Sequence, residues 1–248
     1  MDSIVAIVLI AIAVLGLGGG MAYYAINQSH QSAILAESEA ANGQIREVAD
    51  IIRNLALSGQ ESAKIAYQYS YGHVALMSDG VTIVKATLNG QTATLTAAPH
   101  EVFAYVGEYS MFNSSPFYPL GENESATAST PTQFVPIYEY SEDGYSYIVA
   151  GSRVYVETLQ TQPSETDIQI YLVELNSTFT KTPPAATVTF TATTNTNTFS
   201  YDVSPDSTFI LSITSGTLQQ TLPLQFPTEE TVRVQVNTVN VQLTYQSA

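Results

Sequence analysis

Apolar positions change their rhythm twice along this chain. Ile4 to Ile26 is almost wholly apolar, and residues 3–36 carry no charged side chain. About 20 apolar residues cross a bilayer as a helix, so this run is long enough for a membrane span. Beyond it, Ile34, Ala41, Ile45, Val48, Ile52 and Leu55 recur at spacings of three, four and seven, which is one apolar stripe along a helix. Glu37, Glu39, Arg46, Glu47, Asp50 and Arg53 fall off that stripe. The two patterns together predict one helix to about residue 65, a rod of ~90 Å at 1.5 Å per residue. Gly16, Gly18, Gly19 and Gly20 interrupt the apolar run, with Gly16 and Gly20 at the four-residue spacing that lets helix backbones approach closely. The cluster predicts a helix–helix contact, a loosened point in the helix, or both.

From about residue 73 the rhythm shortens to two. Val81–Leu88 and Gln91–Ala97 flank Asn89-Gly90, a pair suited to the positive φ angles of a tight hairpin turn. Phe134–Tyr140 and Tyr145–Ala150 form a second hairpin across Ser-Glu-Asp-Gly. Further strands are predicted over 153–159, 167–175, 187–193 and 208–214, with Ser215-Gly216 turning the chain into 217–224. At the end, Val232, Val234 and Val236 alternate, then Val239, Val241, Leu243 and Tyr245 resume out of phase. A slip of one residue in a period-2 pattern predicts a bulge near Asn237-Thr238. Many short strands with frequent turns favour a sandwich. The domain reading is therefore a helix over 1–65 and a β-rich body over 66–248. That body is one sandwich, or two units divided near 180–186, where Thr182-Pro183-Pro184 offers a linker.

Composition narrows the function. Charged residues make up 12% of the 248, about half the ordinary share, so Thr, Ser, Asn, Gln and Tyr must cover the surface. A net charge of -15 argues against a nucleic-acid partner, because phosphate binding needs Lys and Arg. A surface so poor in charge also makes the fold less dependent on ionised carboxylates, as an acidic exterior would require. There is no cysteine, so a secreted form would hold itself together by packing and hydrogen bonds. Asn27, Asn113, Asn123 and Asn176 each begin an N-glycosylation triplet; Asn113 and Asn123 lie in a polar stretch that reads as loop.

Candidate chemistry is sparse. His30, His73 and His100 are far apart with no metal-ligand spacing, and neither a phosphate-binding glycine loop after a strand nor a Gly-x-Ser-x-Gly motif is present. Glu142-Asp143-Gly144 lacks the spaced ligands of a calcium loop and reads as a turn; Glu122 and Glu124 read as a solvated loop. The sequence predicts no enzyme, no cofactor and no metal. Sixteen tyrosines are more telling. Tyr67, Tyr69 and Tyr71 follow the helix at strand spacing, and Tyr138, Tyr140, Tyr145 and Tyr147 flank the second turn; an apolar ring with a polar tip suits half-buried sheet faces and subunit contacts.

The opening segment Met-Asp-Ser-Ile-Val-Ala-Ile-Val-Leu-Ile-Ala-Ile-Ala-Val-Leu, with Ala22-Tyr23-Tyr24-Ala25-Ile26-Asn27, resembles the mature N-terminus of archaeal type IV pilins and archaellins. The resemblance covers roughly the first 60 residues and rests on pattern. It places Met1 either at an end left by leader removal or at a true start. Val5 stands where bacterial pilins usually carry glutamate, which disfavours the bacterial branch. The resemblance implies an α+β chain: a long hydrophobic helix, then an all-β, immunoglobulin-like sandwich, often glycosylated. It implies a homopolymer whose helices sit in the membrane before assembly and then pack as the core of an extracellular filament. Ile4, Ile7, Leu9, Ile10, Val14, Leu15, Gly16 and Gly20 would make the core contacts, and Asn113, Asn123 and Asn176 would carry N-linked glycans. The implied function is a surface-adhesion pilus; a rotary swimming filament, or a single-pass surface protein with a β-ectodomain, are the alternatives.

Overall fold

The computed structural model describes residues 2–118, 124–162, 164–205, 207–226 and 228–247, with the side chains of residues 2–16 and Gln162 outside the description. One helix, α1 (Asp2–Leu57), opens the chain and runs unbroken through the glycine cluster. Twelve strands follow: β1 (Ser62–Gln68), β2 (Gly72–Leu88), β3 (Gln91–Gly107), β4 (Thr127–Ala128), β5 (Ile137–Glu142), β6 (Tyr145–Ala150), β7 (Val154–Gln162), β8 (Glu165–Ser177), β9 (Ala185–Val203), β10 (Phe209–Ser215), β11 (Leu218–Leu224) and β12 (Glu230–Ser247). The chain falls into two compact units, residues 1–40 and 41–248, so the last turns of α1 belong with the strands.

The helix ends earlier than its periodicity suggests. Ser58 N–H makes the last helical bond, to Asn54 O at 3.0 Å, and Gly59 takes φ +70°, the left-handed conformation that terminates helices. Residues 62–68, expected at the end of the helix or just after it, form β1, in which Ile65 and Tyr67 are buried at period two. The expected helical stripe does hold inside the larger unit: Ala41, Ile45, Val48, Ile52 and Leu55 are all buried.

The strands form two six-stranded sheets, ordered β1-β9-β12-β8-β7-β4 and β11-β10-β2-β3-β6-β5, in a sandwich-like arrangement. Both hairpins turn where expected, with Asn89 and Gly90 at φ +52° and +81° and Asp143 and Gly144 at +51° and +85°. Strands from either side of Pro183-Pro184 enter both sheets, and buried Thr182 bonds to Val74 O through its amide and its hydroxyl.

The final strand departs from expectation. β12 keeps one register along its whole length against β9, and over Thr231–Leu243 against β8, with no bulge at Asn237-Thr238. Unbroken register puts Val232, Val234 and Val236 on one face, and Val239, Val241 and Leu243 on the other. The first trio joins Ile168, Ile170 and Leu172 of β8 and Phe209, Leu211 and Ile213 of β10 in one cluster between the sheets. The second trio joins Val173, Leu175, Val188 and Phe190, together with Ile45, Val48, Ile52 and Leu55 of α1, in another. The change of phase therefore marks a change of covered face: one half of the strand packs on the opposite sheet, and the other half shares a core with the helix end. β8 changes parity at the same level, Leu172 to Val173, as registered neighbours must.

Candidate functional site

The first candidate lies in the smaller unit. The five most exposed large apolar side chains among the described residues are Leu17, Met21, Tyr23, Tyr24 and Ile26, each between 66% and 75% exposed and all within ten residues of α1. Water around such a patch costs ~25 cal/mol per Å² relative to burial, so the surface favours being covered. Gly18, Gly19 and Gly20 would each accept a Cβ without meeting anything within 4 Å. This chain therefore has no steric need of its own for glycine there. Among the described residues no helix is long and apolar enough to cross a membrane. The expected core residues Ile4, Ile7, Leu9, Ile10, Val14, Leu15 and Gly16 precede the first described side chain; Gly20 lies inside the exposed stretch.

The glycosylation candidates are not brought together. Asn113 is exposed in the segment after β3, where its carbonyl accepts the Ser141 amide of β5 at 2.8 Å. Asn176 is half-buried near the end of β8, in the other sheet. Asn123 lies outside the described residues. The tyrosines do assemble: Tyr138, Tyr140 and Tyr147 stack in sequence, with ring centroids 6.2 and 4.7 Å apart, and Tyr118 adds to Tyr138 at 5.5 Å. Burial pushes the Tyr140 hydroxyl up to about 12. Tyr138, Tyr140 and Tyr147 pack on Ala75, Val102, Ala104 and Val149 on one face of the second sheet.

A third cluster has no counterpart in the sequence pattern. The β2–β3 register shifts between Ser78 and Val81, and this bulge lifts Asp79 over His100 of β3. Gly80 (φ +107°) in the bulge and Gly216 (φ +59°) in the β10–β11 turn allow the two backbones to meet; a Cβ on Gly216 would stand 2.7 Å from Asp79 Oδ2 and 2.8 Å from its carbonyl oxygen. His100 is buried. Its Nδ1 lies 3.1 Å from Thr82 Oγ1 and 3.4 Å from Ser215 Oγ, and its Nε2 lies 3.6 Å from Asp79 Oδ2. Asp79, His100 and Ser215 line a cleft of about 140 Å³ together with Tyr118, Tyr138 and Arg153.

A carboxylate, an imidazole and a hydroxyl in series have the order of an acid–base relay, but the distances describe a clasp. The Asp79 contact is longer than a hydrogen bond, and the Ser215 hydroxyl donates to Ser152 O at 3.2 Å. The network ties the bulge, β3 and the β10–β11 turn together. Among the described residues no three His, Asp or Glu side chains gather as metal ligands. No match to this chain is found among protein-family models, curated proteins or solved structures.

The clasp has a pH signature. Burial holds His100 below the ordinary imidazole range, and the Asp79 charge only partly restores it. The unfolded chain takes up that proton near pH ~6.5 while the folded chain resists it. The unfolded state then binds more protons, so stability falls as pH drops from neutral through that value towards the lower folded one. Asp79 works in the opposite direction at more acid pH, because burial raises its carboxyl; its ionisation costs stability as pH rises through the carboxylate range. The melting temperature is expected to decline between pH 7 and 5.5, and the decline to be shallower in His100→Gln. His73, also lowered by burial, supplies the remainder. An unchanged slope in His100→Gln would show that the imidazole is not the group responsible.

Proposed function

We propose that this chain is the major structural subunit of an extracellular type IV-like filament that serves surface adhesion. One observation carries the reading: the exposed apolar side chains from Leu17 to Ile26 lie on an unbroken helix and continue the uncharged run that begins at Ile4. A helix apolar all round is stable only when surrounded. Lipid surrounds it before assembly, and the same segments of neighbouring copies surround it afterwards. Ile4, Ile7, Leu9, Ile10, Val14 and Leu15 extend that contact, and Gly16 and Gly20 let adjacent helix backbones close up. Because one patch meets a different patch on the next copy, the contact propagates without closing.

Residues 41–248 then form the outer wall, an immunoglobulin-like β-body rich in Thr and Tyr that faces solvent and bears N-linked glycans at Asn113, Asn123 and Asn176. Shearing the cells that make this protein and imaging the released material tests the reading. Fibres with this chain as their dominant component are expected, and deleting its gene is expected to abolish attachment while leaving swimming intact. Recovery of the chain only as a detergent-extracted monomer would refute the filament; loss of swimming instead of attachment would refute the adhesive role.

A further inference from the structure

A sheet edge left open needs a reason, because unpaired N–H and C=O groups invite any passing strand. Most edges of this sandwich are blunted. β11 carries Pro223 along its seven residues. β5 is bonded in both directions to Phe117 through Glu139, and again to Asn113. β7 beyond β4 bears Glu157 and a register irregularity before Gln162. The part of β3 outside β6 is broken by an unpaired Leu95 and by Pro99. β1 is short and carries Lys64.

Among the described residues, β9 keeps a long and regular open edge. β1 covers it only over Ala185–Thr191, while β12 pairs with it as far as Val203. The outer edge from Thr193 to Val203 is therefore open over ~35 Å at strand rise. Its sequence, Thr-Thr-Asn-Thr-Asn-Thr-Phe-Ser-Tyr-Asp-Val, has no proline and no charge before Asp202, and Thr193 to Thr198 are exposed throughout. The register against β12 is continuous, so the edge is regular. Which groups point outward follows from the last bond on that side: the Ala192 amide donates to Glu61 O at 2.9 Å. Strand alternation then turns the amides and carbonyls of Thr194, Thr196, Thr198 and Ser200 outward as well.

We infer that this edge pairs with the same edge of a second copy of the chain, antiparallel across a two-fold axis. The edge suits that occupant. Two copies each carry a net charge of -15, yet along Thr193–Tyr201 strand can face strand with no like charges opposed. The threonine and asparagine ladder is complementary to itself, since each side chain carries both a donor and an acceptor. A two-fold contact does not extend a polar filament; it joins copies side by side, in neighbouring filaments or as free chains. The inference therefore stands apart from the helix-driven assembly proposed above.

The chain has no cysteine, so single cysteines report the contact without background. Full-length variants carrying Thr194→Cys, Thr196→Cys, Thr198→Cys or Ser200→Cys are oxidised mildly and resolved on a denaturing gel. Disulfide dimer is expected to peak at one of these positions and to fall away on both sides, several-fold above Thr221→Cys on the proline-bearing β11. Adding Thr198→Pro to the peak variant, or Thr196→Pro where the peak is Thr198→Cys, removes an outward amide at an edge position that tolerates proline and is expected to bring the dimer down to control level with the melting temperature nearly kept. If that proline unfolds the body, lysine at the same position serves the same purpose by placing like charges across the axis. Dimer yields equal to the Thr221→Cys control at all four positions would overturn the inference, and so would a peak that survives that lysine undiminished.

Discussion

Ile26→Asp is expected to stop fibre formation outright while leaving the β-body as stable as before. Ile26 is 70% exposed in the single chain, so a carboxylate there keeps its water and costs the folded body little. In a filament whose helices surround one another the same carboxylate is buried with no lysine or arginine nearby, because the first of either in the chain is Arg46. An unpaired buried charge costs several kcal/mol even after relaxation, and a polymer repeats that cost in every subunit. The result to look for is fibre yield at background in sheared preparations, with an unchanged circular-dichroism melt for the purified chain. Ile26→Leu, which keeps apolar volume, is the control and assembles normally. Fibres at the normal yield from Ile26→Asp would mean that this stretch stays wet in the assembled state, and the packing model fails.

The difference between harmless in the monomer and lethal in the polymer also explains which parts of the molecule could be read in advance. Local geometry was legible. Asn89-Gly90 and Asp143-Gly144 turn where their positive φ angles require, because a turn is specified by the residues that occupy it. The stripe from Ala41 to Leu55 marked a buried helix face, and the run to Ile26 marked the exposed one. Parity in β12 was legible too, but its meaning was not: alternation tells which residues share a face, not which face a neighbouring element covers. A bulge and a change of cover look identical in sequence, and only the register against β8 and β9 separates them. Buried Asn237 sits where the cover changes, bonded to Thr196 at 2.8 Å. The helix end was misplaced for a simpler reason, since Ser58-Gly59 is a stop signal that the apolar spacing alone does not weigh. Asp79, His100 and Ser215 come from a bulge, a strand and a distant turn. No spacing rule joins them.

Where the body begins can be tested directly. A chain starting at Ala41 is expected to fold and melt in one cooperative transition; a chain starting at Ser58 is expected not to fold. The residues removed in the second case include Ile45, Val48, Ile52 and Leu55, each 2% exposed or less, and the smaller Ala41, Ala49 and Ala56. Burial of the four large side chains alone is worth ~6–12 kcal/mol, which is comparable to the whole stability of a typical domain. Their loss also bares the partners that share their cluster, Val188, Phe190, Val239, Val241 and Leu243, on the neighbouring strands β9 and β12 of the first sheet. Two polar ties go with them: the Tyr69 hydroxyl to Gln44, and the Asn42 amide to Glu139. Glu139 is already held above the ordinary carboxylate range by burial, offset by Arg46 and Asn42, so removing the helix end takes away both groups that favour its charge. Dispersed amide spectra and a sharp melt for the chain from Ser58 would show that the strands need no helical cover, and would overturn the assignment of residues 41–57 to the core. A poorly folded chain from Ala41 would show instead that the body draws stability from residues before that point.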